Sequence, residues 1–450
     1  MNEIMLICAP VSSRSGYGAH ARDLVHSFIS LNKFDIKILD VRWGNTPQNA
    51  LNIENKKDKL LMDRILFEPR LDRQPDVYVD IRIPNEFETH GKFNIGITAG
   101  IETDIISHKW IEGCNKMDLI IVPSEHSKRG IVETVYDKVQ NTPDGKQQKI
   151  GDHKVQKPVE VLFEGADETI YKPLKADEIG KNIFDKINNI VKEDYALLFV
   201  GQWAAGEYGE DRKDIGKLIK VFYEAYANKT ERPALILKTN GAGFSVMDKT
   251  DCLHKIKTIK DNFPTDFKLP NVYLLHGDLT DEEMNDLYNH PKIKAMVSFT
   301  HGEGFGRPLL EATMTGLPVI TSGWSGHTDF LDTEKAVLLP GKIDKIPRSV
   351  VWDDILIPES NWFYVDENTA YNVFNSIKKN MFDMKRKAES LMNANRKKFT
   401  LNMMNELMGK ILDKHLKSIP KAVGLTLPKL KKVSDTSKKQ GIKLPKLKRI

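Results

Sequence analysis

Two glutamates, Glu303 and Glu311, stand where acidic side chains could grip a polar ligand. They belong to His301-Gly302-Glu303-Gly304-Phe305-Gly306-Arg307-Pro308-Leu309-Leu310-Glu311-Ala312, directly after the apolar run Ala295 to Phe299. This order implies a buried strand, a glycine loop and a helix opening at Pro308, because proline suits a first helical position where its missing N–H has no partner. Gly304 and Gly306 let the backbone come close to a ligand. Free amides at the positive end of the helix dipole suit a phosphate. A phosphate alone does not require two acids. Glu303 in the loop and Glu311 in the first turn would present both carboxylates on one rim, placed to accept hydrogen bonds from the hydroxyls of a sugar or ribose. Taken singly, Glu311 also reads as a complement to the helix dipole and Glu303 as a solvated side chain.

Such a loop needs a sheet behind it, and the sequence supplies two. Short β-branched runs separated by helical stretches recur at Ile4 to Cys8, Ile36 to Val41, Val77 to Ile83, Ile95 to Thr98, Leu119 to Val122 and Val159 to Phe163. A second series follows at Ala196 to Val200, Ala234 to Lys238, Val272 to Leu275, Ala295 to Phe299, Val319 to Ser322 and Ala336 to Leu339. Alternation of this kind indicates parallel sheets covered by helices, an α/β class with two Rossmann-like domains. The expected division is 1–172 for the first domain and 173–395 for the second, with the linker near Tyr171 to Lys175. After Asn361 the pattern turns helical, at Ala370 to Met381 and Met384 to Met408, and 396–416 is expected to pack back towards the first domain.

Composition sets outer limits. The 450 residues are 40% apolar and 29% charged, values of a folded chain with room for two cores. Cys8, Cys114 and Cys252 are an odd, scattered set, which argues against a disulfide framework or a zinc site. No run approaches the ~20 apolar residues of a membrane span. Ile4 to Pro10 has no basic leader and reads as a strand, so a soluble, cytoplasmic protein is expected, with a peripheral membrane contact as an option. Net charge is +5; residues 417–450 hold eleven basic side chains and one acid, Asp435, so the tail carries +10 and the remainder −5. Within it Leu427-Pro428-Lys429-Leu430 is echoed by Leu444-Pro445-Lys446-Leu447. A flexible tail able to meet an anionic partner, a membrane surface or nucleic acid, is expected.

Glu303, seven residues, then Glu311, with Gly-Phe-Gly-x-Pro-Leu-Leu-Glu-Ala between and around them, resembles the Glu-x7-Glu signature of the family-four retaining glycosyltransferases. Leu119-Ile-Ile-Val-Pro-Ser124, Val159 to Pro173, Gly277 to Tyr288 and Gly316-Leu-Pro-Val-Ile320 resemble segments of that family in the same order. The resemblance spans residues 1 to about 400 and implies the GT-B fold, two Rossmann-like domains facing across a cleft. It further implies that Glu303 contacts the transferred sugar, that Glu311 holds the donor ribose, and that the amides of Gly304, Phe305, Gly306 and Arg307 bind sugar or phosphate.

Breaking a sugar–phosphate bond builds negative charge on a nucleoside diphosphate, which preorganised cations stabilise. The family's basic pair follows the first strand of the second domain. Lys213 aligns with its lysine; Gln202 stands where an arginine is common, leaving Arg212 as the second cation, although two solvated cations at a helix start remain an equal reading for Arg212 alone. Lys238, ending the next strand, is a further donor-side candidate. In the first domain Gly16, Tyr17 and Gly18 form the counterpart of the family's diphosphate and acceptor loop, while a Gly-x-Gly turn alone is weak evidence. Glu102 and Thr103 stand near where relatives carry an acceptor-side histidine, with His108 equally a surface residue. Gly326-His327-Thr328-Asp329 matches the family's glycine turn before an acid.

No strict Asp-x-Asp occurs, so a metal-free cleft with no cofactor is expected, and the nucleotide-diphosphate sugar is a co-substrate. Retention is implied by the resemblance alone, through front-face attack with the departing phosphate taking the acceptor proton. The acceptor, a glycan, lipid-linked glycan or protein, is not specified. Two other readings stay open: a glycosyltransferase acting on nucleic acid through the basic tail, and a non-catalytic binding protein on the same fold. No Gly-x-Gly-x-x-Gly follows a strand and no Walker A lysine occurs, which disfavours a dinucleotide oxidoreductase.

Overall fold

The computed structural model describes residues 3–142, 146–204, 206, 208–241 and 245–418. The basic tail, apart from its first two residues, lies outside the described residues. The first domain runs through β1 (Ile4–Ala9), α1 (Gly16–Leu31), β2 (Asp35–Asp40), α2 (Lys56–Met62), β3 (Val77–Ile81), β4 (Phe93–Ile97), α3 (His108–Lys116), β5 (Leu119–Val122), α4 (Glu125–Glu133), β6 (Tyr136–Asn141), β7 (Gln147–His153) and β8 (Val159–Val161). Six of these strands form one sheet in the order β2-β1-β3-β4-β5-β8, every pairing parallel. The central strands β3, β4 and β5 are buried on both faces, as parallel strands covered by helices must be, while the edge strands β2 and β8 are partly exposed.

The second domain contains α5 (Lys181–Ile190), β9 (Ala196–Val200), α6 (Ile215–Tyr226), β10 (Ala234–Lys238), α7 (Val246–Asp261), β11 (Val272–Leu275), α8 (Asp281–Asn289), β12 (Ile293–Ser298), α9 (Arg307–Met314), β13 (Val319–Ser322) and β14 (Val337–Leu339). Its sheet is again parallel, in the order β11-β10-β9-β12-β13-β14. The strand order reverses between β9 and β12. Ligands of open α/β sheets bind at such a reversal, beyond the carboxyl ends of the strands. The loops leaving β9 and β12 are those that carry Arg212, Lys213 and Glu303.

The chain continues through β15 (Gly341–Lys345), β16 (Asn361–Val365), α10 (Glu367–Lys398) and α11 (Leu401–His415). Here the expectation of helix directly after Asn361 is corrected. Asn361-Trp-Phe-Tyr-Val365 pairs antiparallel with β15, burying Trp362 and Phe363. The helical break expected before Met384 falls instead at Phe399 and Thr400, where Thr400 Oγ1 accepts from Met403 N–H and caps a new helix. That break is where the chain returns to the first domain. Ala166 N–H donates to Phe399 O (2.9 Å), Leu401 N–H donates to Ala166 O (3.0 Å), and Phe163 packs edge-on to Phe399. The outgoing and returning crossings are thus stitched together. Met404, Met408, Ile411 and Leu412 of α11 then join the apolar core beneath α1.

Two antiparallel hairpins, β6–β7 and β15–β16, stand outside the two sheets. The second reaches across: Asp104 accepts from Asn361 N–H (2.7 Å) and Asn361 Nδ2 (2.6 Å), and Ile355 packs on the first-domain cluster around Trp110.

Candidate active site

The acid loop after β12 is fixed from both sides by its own domain. Glu303 N–H donates to Ser325 Oγ (2.9 Å), Gly326 N–H donates to Glu303 O (2.9 Å), and Thr300 Oγ1 donates to Gly302 O (3.1 Å). With its backbone held, Glu303 turns its carboxylate to the turn before α6. Lys213 Nζ donates to one oxygen, and Arg212 Nη1 donates to the other at 3.2 Å. Burial pushes the Glu303 carboxyl up, but Lys213 and Arg212 outweigh it and hold the group at about 2. The solvated reading of Glu303 is therefore overturned; the side chain is buried and doubly paired.

Arg212 also reaches the first domain. Its Nη1 lies 3.5 Å from Glu102 Oε1 and donates to Gly302 O at 3.3 Å. Burial lowers its affinity for its proton, while Glu102 and Glu303 raise it further. Lys213 is pulled down by burial against the opposing effect of Glu303. Four charged groups, two of each sign, thus meet at the mouth between the domains.

Glu311 lies one helical turn into α9 with partners of its own. Arg307 Nε donates to Oε1 (3.0 Å) and Tyr288 OH to Oε2 (3.4 Å). Burial raises its carboxyl to about 7 despite Arg307. Arg307 Nη1 in turn donates to Asp23 Oδ2 of α1 at 2.6 Å, a second polar link across the cleft.

The glycines of the loop serve a contact that the sequence could not show. A Cβ on Gly302 would lie 2.0 Å from Glu102 O, and one on Gly304 2.0 Å from Ala99 O; Ser124 Oγ donates to Gly304 O at 2.6 Å. The close approach is between the two domains. Gly306 caps α9 with φ +96, a conformation glycine adopts without strain. Phe305 is a core side chain against Phe330, so its backbone alone faces the cleft side. Lys238 Nζ donates to Gly277 O (2.8 Å), and burial lowers it to about 8. Gln202 is exposed just beyond β9.

On the first-domain side, Gly16 opens α1 behind Ser15, whose hydroxyl accepts from Gly18 N–H. A Cβ on Gly16 would meet nothing within 4 Å, whereas one on Gly18 would lie 2.2 Å from Ser13 O. The Tyr17 side chain is spoken for: its OH donates to Arg82 O (2.9 Å) and accepts from Ala99 N–H (3.1 Å), and its ring stacks on Trp43. Thr103 is buried and donates to Ile105 O (3.1 Å). Glu102 is the first-domain candidate brought to Arg212 and Glu303; Thr103, Gln202 and Lys238 are not part of that junction.

Sequence reasoning missed Asp23, Tyr288, His20 and Glu164. His20 Nδ1 and Glu164 Oε2 face each other at 3.9 Å, and among the described residues neither side chain makes a hydrogen bond. Burial raises Glu164 to about 7 and lowers His20 to about 4. No spacing signal links positions so far apart in the chain.

Residues 260–349 match the family described as glycosyl transferases group 1, a stretch that contains Glu303 and Glu311. Structures similar to this one include HepE from Anabaena in complex with UDP and glucose, at 12% identity, covering 92% of this chain and 100% of that one, TM-score 0.53. Sucrose-phosphate synthase from Thermosynechococcus elongatus covers 93% and 100% at 12% identity, TM-score 0.58. A glycosyltransferase from Rickettsia africae covers 93% and 99%, also at 12% identity and TM-score 0.58. The fold is GT-B, and the enzyme class is glycosyltransferase. No curated protein matches the chain. In this glycosyltransferase, no helix among the described residues is long and apolar enough to cross a membrane.

Proposed function

We propose that the protein is a retaining, metal-independent glycosyltransferase that moves a sugar from a nucleoside-diphosphate donor to a glycan, lipid-linked glycan or protein. The observation that carries this reading is the junction of Glu303 with Lys213, Arg212 and Glu102 at the reversal of the second sheet. Its chemistry matches the demand of the reaction. Arg212 and Lys213 supply fixed positive charge where a diphosphate would leave, stabilising the developing anion without a metal. Glu303, ionised at every working pH, accepts a hydroxyl of the transferred sugar, and Glu311 accepts from the ribose once ionised. The opening of α9 offers amides to a phosphate. Contact between the two domains excludes water, so the acceptor rather than solvent receives the sugar. With the Glu303 carboxylate engaged by Lys213 and Arg212, the departing phosphate oxygen takes the acceptor proton on the attacked face, which retains configuration.

The HepE complexes with UDP and UDP-glucose make uridine diphosphate sugars the first donors to try. The test is thermal melting with UDP-glucose, GDP-glucose and ADP-glucose, since a ligand bound by the folded state raises the midpoint by mass action. One of the three is expected to stabilise the wild type, and Lys213→Ala is expected to abolish that rise relative to its own unliganded midpoint, which falls because buried Glu303 loses a partner. A wild type that melts identically with all three, and with their free diphosphates, favours the binding-protein reading instead.

A further inference from the structure

Behind the junction lies a second group of polar side chains that the proposed chemistry does not use. His301 precedes Glu303 by two positions, and Asp214 directly follows Lys213. His301 Nε2 lies 3.6 Å from Asp214 Oδ2, and both residues are almost wholly buried. Asp214 is held at φ +48, a left-handed conformation that carries strain for any residue but glycine, although aspartate tolerates it better than most. Such strain persists only where the surroundings over-determine it.

The imidazole is fixed by β16. Its Nδ1–H donates to Phe363 O at 2.7 Å, its ring stacks on Trp362 with centroids 4.5 Å apart at 16°, and Tyr364 packs against it at 4.7 Å. The backbone completes the tie: His301 N–H donates to Arg212 O (2.8 Å), and Phe363 N–H donates to His301 O (3.0 Å). Three segments therefore meet at one side chain: the turn bearing both cations, the loop bearing the acid, and the hairpin that reaches the first domain. Asp214 Oδ1 and His301 Nε2 have no hydrogen-bond partner among the described residues. Burial lowers His301 to about 4 and raises Asp214 against the pull of Lys217, 3.7 Å from Asp214 Oδ2, so burial opposes an ion pair between imidazole and carboxylate.

We infer that His301 is a positioning residue, its imidazole hydrogen-bonded to β16 and its backbone N–H to the Arg212–Lys213 turn, so that it sets the distance from those cations to Glu303. The inference rests on the reading that Arg212 and Lys213 meet the donor diphosphate. The Trp362 and Phe363 contacts stop the ring moving away from the turn. The Nδ1–H bond to Phe363 O holds the loop on β16, and the His301 N–H bond to Arg212 O passes that position on to the turn. A site that must hold a charge-assisted bond to a diphosphate is sensitive to small displacements of its cations.

The experiment compares UDP with uridine, which lacks the diphosphate, by calorimetry and NMR titration on the full chain; GDP with guanosine and ADP with adenosine run in parallel, and the diphosphate bound most tightly sets the pair compared. His301→Leu fills the ring's space without donating to Phe363 O; His301→Asn keeps a donor at the Nδ1 position. The leucine variant is expected to weaken diphosphate binding about tenfold, the scale of one hydrogen bond to a charged group, and to leave nucleoside binding unchanged. The asparagine variant is expected to recover most of that loss. His301→Leu binding the diphosphate as the wild type does overturns the inference. So does equal weakening of diphosphate and nucleoside, the mark of general disorder, or an asparagine variant no better than leucine. Lys213→Ala is the separating control: if it retains full diphosphate affinity, the donor reading itself fails and takes this inference with it.

Discussion

Glu303 and Glu311 stand on one short loop and helix yet hold their protons at opposite ends of the carboxylate range. Glu303 is buried, but two cations face it and bring it to about 2. Glu311 is equally buried with one guanidinium that is shared with Asp23, and it sits at about 7. The sequence displayed both acids and their spacing. It did not display their environments, because Lys213 reaches Glu303 across ninety positions of chain and Asp23 reaches Arg307 from the other domain. That difference makes a prediction about donor binding. A carboxylate that accepts two ribose hydroxyls must first lose its proton, so affinity is penalised below the free enzyme's Glu311 value and the penalty disappears above it. Wild-type affinity for the nucleoside diphosphate should therefore rise about tenfold from pH 6 to pH 8, while Glu311→Gln should bind weakly at both. Calorimetry at the two pH values decides it; a glutamine variant that keeps the wild-type slope would place the titration elsewhere.

At the scale of elements, buried strands were legible and exposed ones were not. Most of the parallel strands are short apolar runs between polar stretches, a pattern that burial on both faces demands of the central ones. The hairpin strands carry no such mark: Tyr136-Asp-Lys-Val-Gln140 and Gln147-Gln-Lys-Ile-Gly-Asp-His153 are mostly polar and largely exposed, so nothing in their period separates them from a loop. Asn361-Trp-Phe-Tyr-Val365 was hidden differently, since its aromatic run leads straight into the periodicity of α10. Yet the β15–β16 hairpin ties the two domains together at Asp104. Removing that carboxylate leaves Asn361 N–H and Nδ2 without their acceptor, at a cost of about 1.5–3 kcal/mol for each bond to a charged group before water compensates. Asp104→Ala is thus expected to keep both domains folded but loosen their contact, raising the radius of gyration measured by X-ray scattering. An unchanged scattering profile would mean that the other links suffice.

The whole molecule closes on a backbone contact rather than on side chains alone. Two similar series of strands made two domains legible, and the family resemblance carried by the Glu303 to Glu311 signature implied a cleft between them. How near the domains come was not legible, because a glycine in sequence does not say whether ligand or protein fills the space its missing Cβ leaves. Here Gly302 and Gly304 bring the acid loop onto Glu102 O and Ala99 O, and Ser124 Oγ bonds the Gly304 carbonyl. A methyl group at residue 304 would sit 2.0 Å from the main-chain oxygen of Ala99, in the loop just beyond β4, so one of the two backbones must shift. Gly304→Ala should hold the domains apart. The proposed diphosphate and ribose ligands Lys213, Arg212 and Glu311 all lie in the second domain, so nucleoside diphosphate affinity should stay within about threefold of wild type, well under the tenfold that 1.4 kcal/mol represents. Transfer should fall by about a hundredfold or more, because approach of the acceptor domain and exclusion of water both require the contact. Scattering, nucleotide binding and turnover measured on the same preparation test the three parts together. Full turnover with a wild-type radius of gyration would show that the domains tolerate the methyl group and that the glycine contact is not what brings the acceptor to the donor.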